Sequence, residues 1–319
     1  MKRRSFLGIV VAWPAVAGAQ ARLHRIGFLA LEQGEDPALL VKALRDLGYA
    51  EGKDFSILFR SAGGDPARLA ALAAELVEVK PDLLVAGWGT LAPRALKAAT
   101  ATIPIVFSTV GDPVGAGLVQ SVARPGGNLT GLSGQSTDLK SKQLQLLLTV
   151  LPGQKVVGTL MNPDTPYTAL AFKELKASAD QLGVRLVPLE MRKPEDFSAA
   201  RLEALVASGA TSLFIMEDPL TSSLKGTIVG EATRLKLPTM TGLEDFSQAG
   251  ALMTYGSSIS GRHGQVARYI DRILKGARPA DLPVEQPTKF QLVINQKTAS
   301  AIGVVVPPSV LATADEVIE

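Results

Sequence analysis

Polar residues able to grip a small molecule fall, in this chain, just beyond short apolar runs. Trp88 and Thr90 follow Leu83–Ala86, and Ser108, Thr109 and Asp112 follow Ile105–Phe107. Asn162, Asp164 and Thr165 follow Val156–Met161, Asp218 follows Ser212–Met216, and Glu244 follows Leu237–Thr241. Runs of this kind read as strands buried on both faces, and open α/β sheets bind ligands beyond the carboxyl ends of such strands. Free N–H groups at helix starts suit a carboxylate, while Asp112, Asp218 or Glu244 could hold an ammonium. Together they describe an amino-acid-like ligand. Trp88 stands between Gly87 and Gly89, which leave its ring free to stack on a flat or cationic group; an ordinary packed Trp is the plain alternative. Tyr167 and Tyr255 are further candidates of the same kind.

Bond-making chemistry finds less to work with. The two histidines, His24 and His263, share no loop with a nucleophile, so a Ser/His/Asp centre is not expected. The absence of cysteine removes disulfides, thiolate metal sites and a lipid-modified cysteine, and no tight acidic cluster offers an oxygen-only metal site. Gly87-Trp-Gly89-Thr-Leu-Ala92 has the outline of a dinucleotide-binding turn, but it follows the third strand and lacks the later acid. Ser222-x-x-Lys225 matches one β-lactamase element without its companions. No cofactor and no metal are expected.

The elements that must position these residues alternate strand, loop and amphipathic helix. Strands are expected at 26–30, 55–59, 83–86, 105–107 and 129–132, then at 156–161, 184–188, 212–216, 237–241, 251–255 and 290–294. Helices are expected to start where an acid or hydroxyl precedes proline: Asp36-Pro37, Asp65-Pro66, Asp112-Pro113, Thr165-Pro166 and Asp218-Pro219. The side chain accepts from the open first turn, and the proline has no N–H to leave unpaired. Ser108 and Thr109 are expected in a polar loop leading to the Asp112 helix. Such alternation builds parallel sheets with helices on both faces, and its repetition in the second half argues for two similar lobes.

Residues 1–21 read as a cleaved export signal: a basic start at Lys2-Arg3-Arg4, an apolar stretch from Phe6 to Ala17, and small residues at Ala17-Gly18-Ala19. Arg3-Arg4-Ser5-Phe6-Leu7 also fits a twin-arginine signal. Removing the leader takes three cations and no acid, which leaves the mature chain balanced against its 30 acidic residues. The pI near 9.0 therefore belongs largely to the leader, and there is no electrostatic case for nucleic acid or an anionic membrane.

The string IPIVF…GDPV…GLV.S.ARPGGN.TG over 103–131 resembles the bacterial ABC-transporter substrate-binding family of the tryptophan/tyrosine transport type. The resemblance extends over nearly the whole chain, through RRSFLG, IGFL (26–29) and LRDLGYAEGKD (44–54) to PADLPVEQPTKFQLVINQKTASAIGVVVPPSVLATADEVIE (279–319). It implies an α/β two-lobe periplasmic binding protein of type I form, each lobe a parallel sheet flanked by helices, with three inter-lobe crossings. Lobe 1 is expected to take 22–131 plus 257–287, and lobe 2 132–256 plus 288–319. The implied function is capture of a small, amino-acid-like solute (the family label points to an aromatic one), closure of the lobes, and delivery by a monomer to the membrane permease of an ABC importer. A periplasmic sensor handing its ligand signal to a membrane receptor would share this cleft. An exported α/β hydrolase would share the sheet but needs a reactive centre.

Overall fold

The computed structural model describes residues 23–32, 34–35, 37–257 and 261–319. The expected leader (1–21) and Asp36, expected to cap the first helix, lie outside the described residues. The first half gives β1 (His24–Ala30), α1 (Ala38–Asp46), β2 (Phe55–Ser61), α2 (Leu69–Glu78), β3 (Leu83–Ala86), α3 (Leu91–Ala99), β4 (Ile105–Val110) and β5 (Leu129–Ser133). These strands pair in parallel in the order β2-β1-β3-β4-β5. Every residue of β3 is buried, as a strand covered on both faces requires. Phe28, Phe55 and Val85 pack with Leu40 and Leu44 of α1, while Leu29, Leu84 and Phe107 pack with Leu76 of α2 and Leu96 of α3.

The second half gives α4 (Lys140–Val150), β6 (Val156–Met161), α5 (Pro166–Gln181), β7 (Arg185–Glu190), α6 (Ala199–Ala207), β8 (Leu213–Ile215), α7 (Pro219–Ser223), α8 (Lys225–Arg234), β9 (Thr239–Thr241), α9 (Asp245–Gln248) and β10 (Met253–Ser257). Next come α10 (Arg262–Leu274), β11 (Phe290–Asn295), α11 (Gln296–Ile302), α12 (Pro308–Leu311) and β12 (Glu316–Ile318). The second sheet runs β12-β11-β10-β9-β8-β6-β7. α10 lies away from it: Val266, Ile270 and Ile273 join the Phe28–Leu44 core of the first lobe. The strand that follows, β11, therefore re-enters the second sheet from the other lobe and pairs antiparallel to β10. The sheets are parallel as expected, with this one antiparallel pairing as the exception among the described strands.

Two local expectations are corrected. No helix follows Asp112-Pro113; the chain makes successive turns through 113–117. Gly115 and Gly117 fall inside what would be its first two turns, each costing about 1 kcal/mol against alanine. Asp112 Oδ1 accepts from the Gly115 N–H at 2.8 Å, an acidic turn cap with no helix beyond it. Ser108 and Thr109 are not loop but the last part of β4, whose register with β5 shifts between Phe107 and Val110. Gly131 on β5 has φ +152°, and a Cβ there would sit 2.2 Å from the Phe107 carbonyl oxygen, so this pairing requires glycine.

The acid-proline pairs at 65 and 218 cap as expected. Asp65 accepts from the Ala67 N–H at 3.0 Å over a 3-10 turn leading into α2, and Asp218 accepts from the Leu220 N–H at 3.0 Å over α7. Thr165 occupies the cap position of α5 without bonding its first turn through the side chain. Among the described residues no helix is long and apolar enough to cross a membrane.

Candidate ligand-binding cleft

The carboxyl ends of both sheets face one another around a small cavity. Lobe 1 contributes Trp88, Gly89 and Thr90 from the β3–α3 turn, Thr109 from β4 and Gly111 beyond it, and Gly134 and Ser136 line it from the segment that leaves β5. Lobe 2 contributes Thr165 and Tyr167 from the start of α5, Glu217, Asp218 and Pro219 from the β8–α7 turn, and Gly242 and Leu243 from the turn after β9. The lobes touch here. The Trp88 ring packs against the lobe 2 core built on Leu213, Leu220 and Phe246. The enclosed volume is about 30 Å³, room for about two waters, so an amino acid enters only when the walls move apart.

Beneath the cavity runs a buried polar network. Lys140 is wholly buried and forms an ion pair with Glu217, donating also to Gln143 Oε1 at 3.0 Å. Tyr167 donates its hydroxyl to Glu217 Oε2 at 2.7 Å, and the Gln143 amide donates to the Tyr255 carbonyl at 2.7 Å. Burial pushes the Lys140 ammonium below its ordinary pKa while Glu217 opposes that; burial, then Glu217, pushes the Tyr167 phenol well up. The network spends Glu217 on Lys140 and Tyr167 and so fixes the Tyr167 ring as cavity wall.

Asp218 is the carboxylate left with capacity. It is 1% exposed, and Oδ1 accepts from the Leu220 N–H and from the Asn162 amide at 3.3 Å. Oδ2 is buried without a hydrogen bond among the described residues. Burial raises the Asp218 pKa; Thr165, the Leu220 N–H and Asn162 pull it down. The hydroxyl of Thr165 stands beside this carboxylate without a hydrogen bond of good geometry, and Thr90 Oγ1 opposite is also buried and unbonded among the described residues. Such groups cost about 1–3 kcal/mol each while unpaired, which a polar ligand can recover. The acceptor and hydroxyls lie next to the open N-termini of α3 and α5.

Of the residues picked out by sequence, the fold brings Trp88, Thr90, Thr109, Thr165 and Asp218 to the cavity, and places Asn162 directly behind Asp218. Ser108 is buried toward a separate pocket with Glu35 and Arg262. Asp112 sits in its turn outside the cavity lining, Asp164 is an exposed partner of Arg192 at 3.3 Å, and Glu244 borders an outer groove beside α1. The sequence reading passed over Lys140, Gln143 and Glu217, and also Glu35, whose Oε2 accepts from the Trp88 N–H at 2.6 Å. Glu217 stands next to a proposed ligand residue after a strand, a position that could have pointed to it; Lys140 carries no such signal. Among the described residues there is no group of acids and histidines able to hold a metal.

The family model for ABC transporter substrate binding protein matches residues 37–318. The chain belongs to that family. The substrate-binding protein is 29% identical over 263 residues to a tyrosine-binding protein of Clostridioides difficile (strain R20291), covering 82% of this chain and 74% of the relative. It superposes with TM-score 0.84 and 30% identity on a conserved domain protein from Vibrio cholerae, covering 93% of this chain and 100% of that one. A Streptococcus pneumonia ABC domain in complex with L-Trp gives TM-score 0.82 at 27% identity, with coverage of 93% and 100%. The ligand-free, open structure of a Clostridium difficile substrate-binding protein with adhesive properties gives 0.63 at the same 27% identity, with coverage of 93% and 99%. As an ABC substrate-binding protein it is the solute-binding component of an importer, and solute-binding proteins are not an enzyme class.

Proposed function

We propose that this binding protein captures an aromatic α-amino acid between its lobes, the ammonium on Asp218 and the carboxylate toward Thr90, Thr165 and the N-termini of α3 and α5. The observation that carries the reading is the buried, unbonded Asp218 Oδ2 beside two unbonded hydroxyls contributed by opposite lobes. Trp88 and Tyr167 give the same cavity flat aromatic walls. The tyrosine-binding name of one relative and the L-Trp in another accord with it. A higher structural similarity to the L-Trp complex than to the open, ligand-free relative is what lobes in contact would give. Closure then follows because only a ligand touching both lobes has higher affinity for the closed form.

The lobes are assigned as 22–131 plus 257–287 and 132–256 plus 288–319, with three crossings acting as the hinge; the seat of α10 on the first lobe supports this. The mature protein is a periplasmic monomer exported by residues 1–21, and it delivers to a membrane permease. Isothermal titration of the protein recovered from the periplasm tests the ligand: one of L-tryptophan, L-tyrosine or L-phenylalanine binds one to one, while tryptamine and indole-3-propionate, each lacking one charge, do not. Asp218→Asn weakens that binding roughly 10- to 100-fold, the scale of a charge-assisted hydrogen bond of about 1.5–3 kcal/mol. Failure of all three amino acids to bind, or unchanged affinity in the variant, removes the reading.

A further inference from the structure

Behind the ligand cavity, sharing Thr109 and Ser257 with it, lies a second and larger pocket of about 400 Å³. Its walls include Leu132 and Ser133 at the end of β5, Ser257 at the end of β10, Gly261 at the start of α10, and 285–289 leading into β11. Two of those segments are stitched together by backbone, with the Glu285 N–H bonded to the Gly131 carbonyl at 3.0 Å and the Ser133 N–H to the Glu285 carbonyl at 2.8 Å.

The charges in it are unequal. Arg262, Arg268 and Lys289 line it against one acid, Glu285, and that carboxylate already accepts from the Gln265 amide at 2.8 Å. The three cations form no ion pair or hydrogen bond among the described residues. Arg262 is largely buried, and burial lowers its pKa, with Glu35 and Asp245 acting on it only through space. A concave site of one sign with low-dielectric walls concentrates counter-ions, and a guanidinium presents its donors in the fork that an oxyanion fills.

We propose that this pocket is a regulatory site for a small multivalent oxyanion. It would bridge Arg262 and Arg268 on α10, a lobe 1 helix, to Lys289 at the edge of lobe 2. An anion held across the joining segments fixes their relative angle, and so it binds the open and closed forms unequally. Linkage then requires it to change the affinity of the cleft ligand, and the cleft ligand to change that of the anion by the same factor. The pocket does not depend on which solute the cleft takes.

The test compares sodium phosphate, sodium citrate and sodium chloride at equal ionic strength on the protein recovered from the periplasm. Phosphate or citrate is expected to raise the midpoint of thermal unfolding in a saturable way and to shift the Kd of the cleft ligand at least threefold, whereas chloride does neither. Which of the two anions acts separates an inorganic from an organic source. Arg268→Ala with Lys289→Ala, both at exposed positions, abolishes both effects while leaving the fold and the bare ligand affinity in place. Asp218→Asn weakens the cleft ligand and keeps the anion-dependent midpoint, which separates this site from the cleft reading. Equal effects of chloride and the multivalent anions, or an anion response that survives in the double variant, overturns the proposal.

Discussion

Glu35 shows how much one side chain's surroundings decide. Its Oε2 takes the Trp88 N–H, its Oε1 is buried without a partner among the described residues, and Arg262 and Glu32 act on it with opposite signs. Burial dominates and raises its pKa from 4.5 to about 7. A carboxyl whose folded pKa lies above its unfolded one stabilises the fold as the neutral acid. That contribution is complete below pH 4.5 and is lost as pH rises through about 7. Glu35→Gln keeps the acceptor for Trp88 and cannot ionise. In urea unfolding at pH 8 the variant is therefore more stable than the parent, by up to ~3 kcal/mol, and the gain shrinks toward zero at pH 5. A gain independent of pH would show that Glu35 is ionised in the folded protein throughout. This residue was not legible in the sequence: Glu35 lies 53 residues before Trp88, and only the fold brings the two together.

At the scale of elements, the sequence reported local rules faithfully and long-range ones poorly. Asp65-Pro66 and Asp218-Pro219 cap helices because the signal and its effect lie within three residues. Asp112-Pro113 carries the same signal, yet the glycines after it cannot sustain a helix. In α4, Lys140 and Gln143 stand at helical spacing with Leu144, Leu147 and Val150, on the same face, and polar as they are both are fully buried. Their partners are Glu217, 77 residues on from Lys140, and the Tyr255 carbonyl, 112 residues on from Gln143, which no periodicity reports. The antiparallel entry of β11 was hidden in the same way, by the detour through α10. Breaking the pair should be costly: Lys140→Met leaves Glu217 buried and unpaired and destabilises by about 3–5 kcal/mol. Adding Glu217→Gln to Lys140→Met restores most of that stability in a urea-monitored double-mutant cycle. Simple additivity of the two losses would mean the pair is not coupled.

For the whole molecule, the decisive contacts are those between lobes, where the sequence marks the loops but not their distance. Two lobe 1 glycines serve as seats for lobe 2 rings. A Cβ on Gly111 would lie 2.3 Å from the Tyr167 ring, and one on Gly89 would lie 2.9 Å from Pro219 Cγ. Gly89 also has φ +93°, so a side chain there strains the backbone in any state and confuses the readout. Gly111 has no such backbone demand, and Tyr167 cannot yield because Glu217 holds its hydroxyl. Gly111→Ala should therefore be silent while the lobes are apart and obstruct only their approach. The expected result is an unfolding midpoint for the ligand-free variant within about 2 °C of the parent, since a surface change usually costs under about 0.5 kcal/mol. Ligand affinity should fall at least tenfold, because a blocked closed form removes the state that the ligand prefers. Small-angle scattering at saturating ligand should then show compaction in the parent and a smaller change in the variant. A variant that binds and compacts as the parent does would mean that the functional closed form stops short of the Gly111–Tyr167 contact.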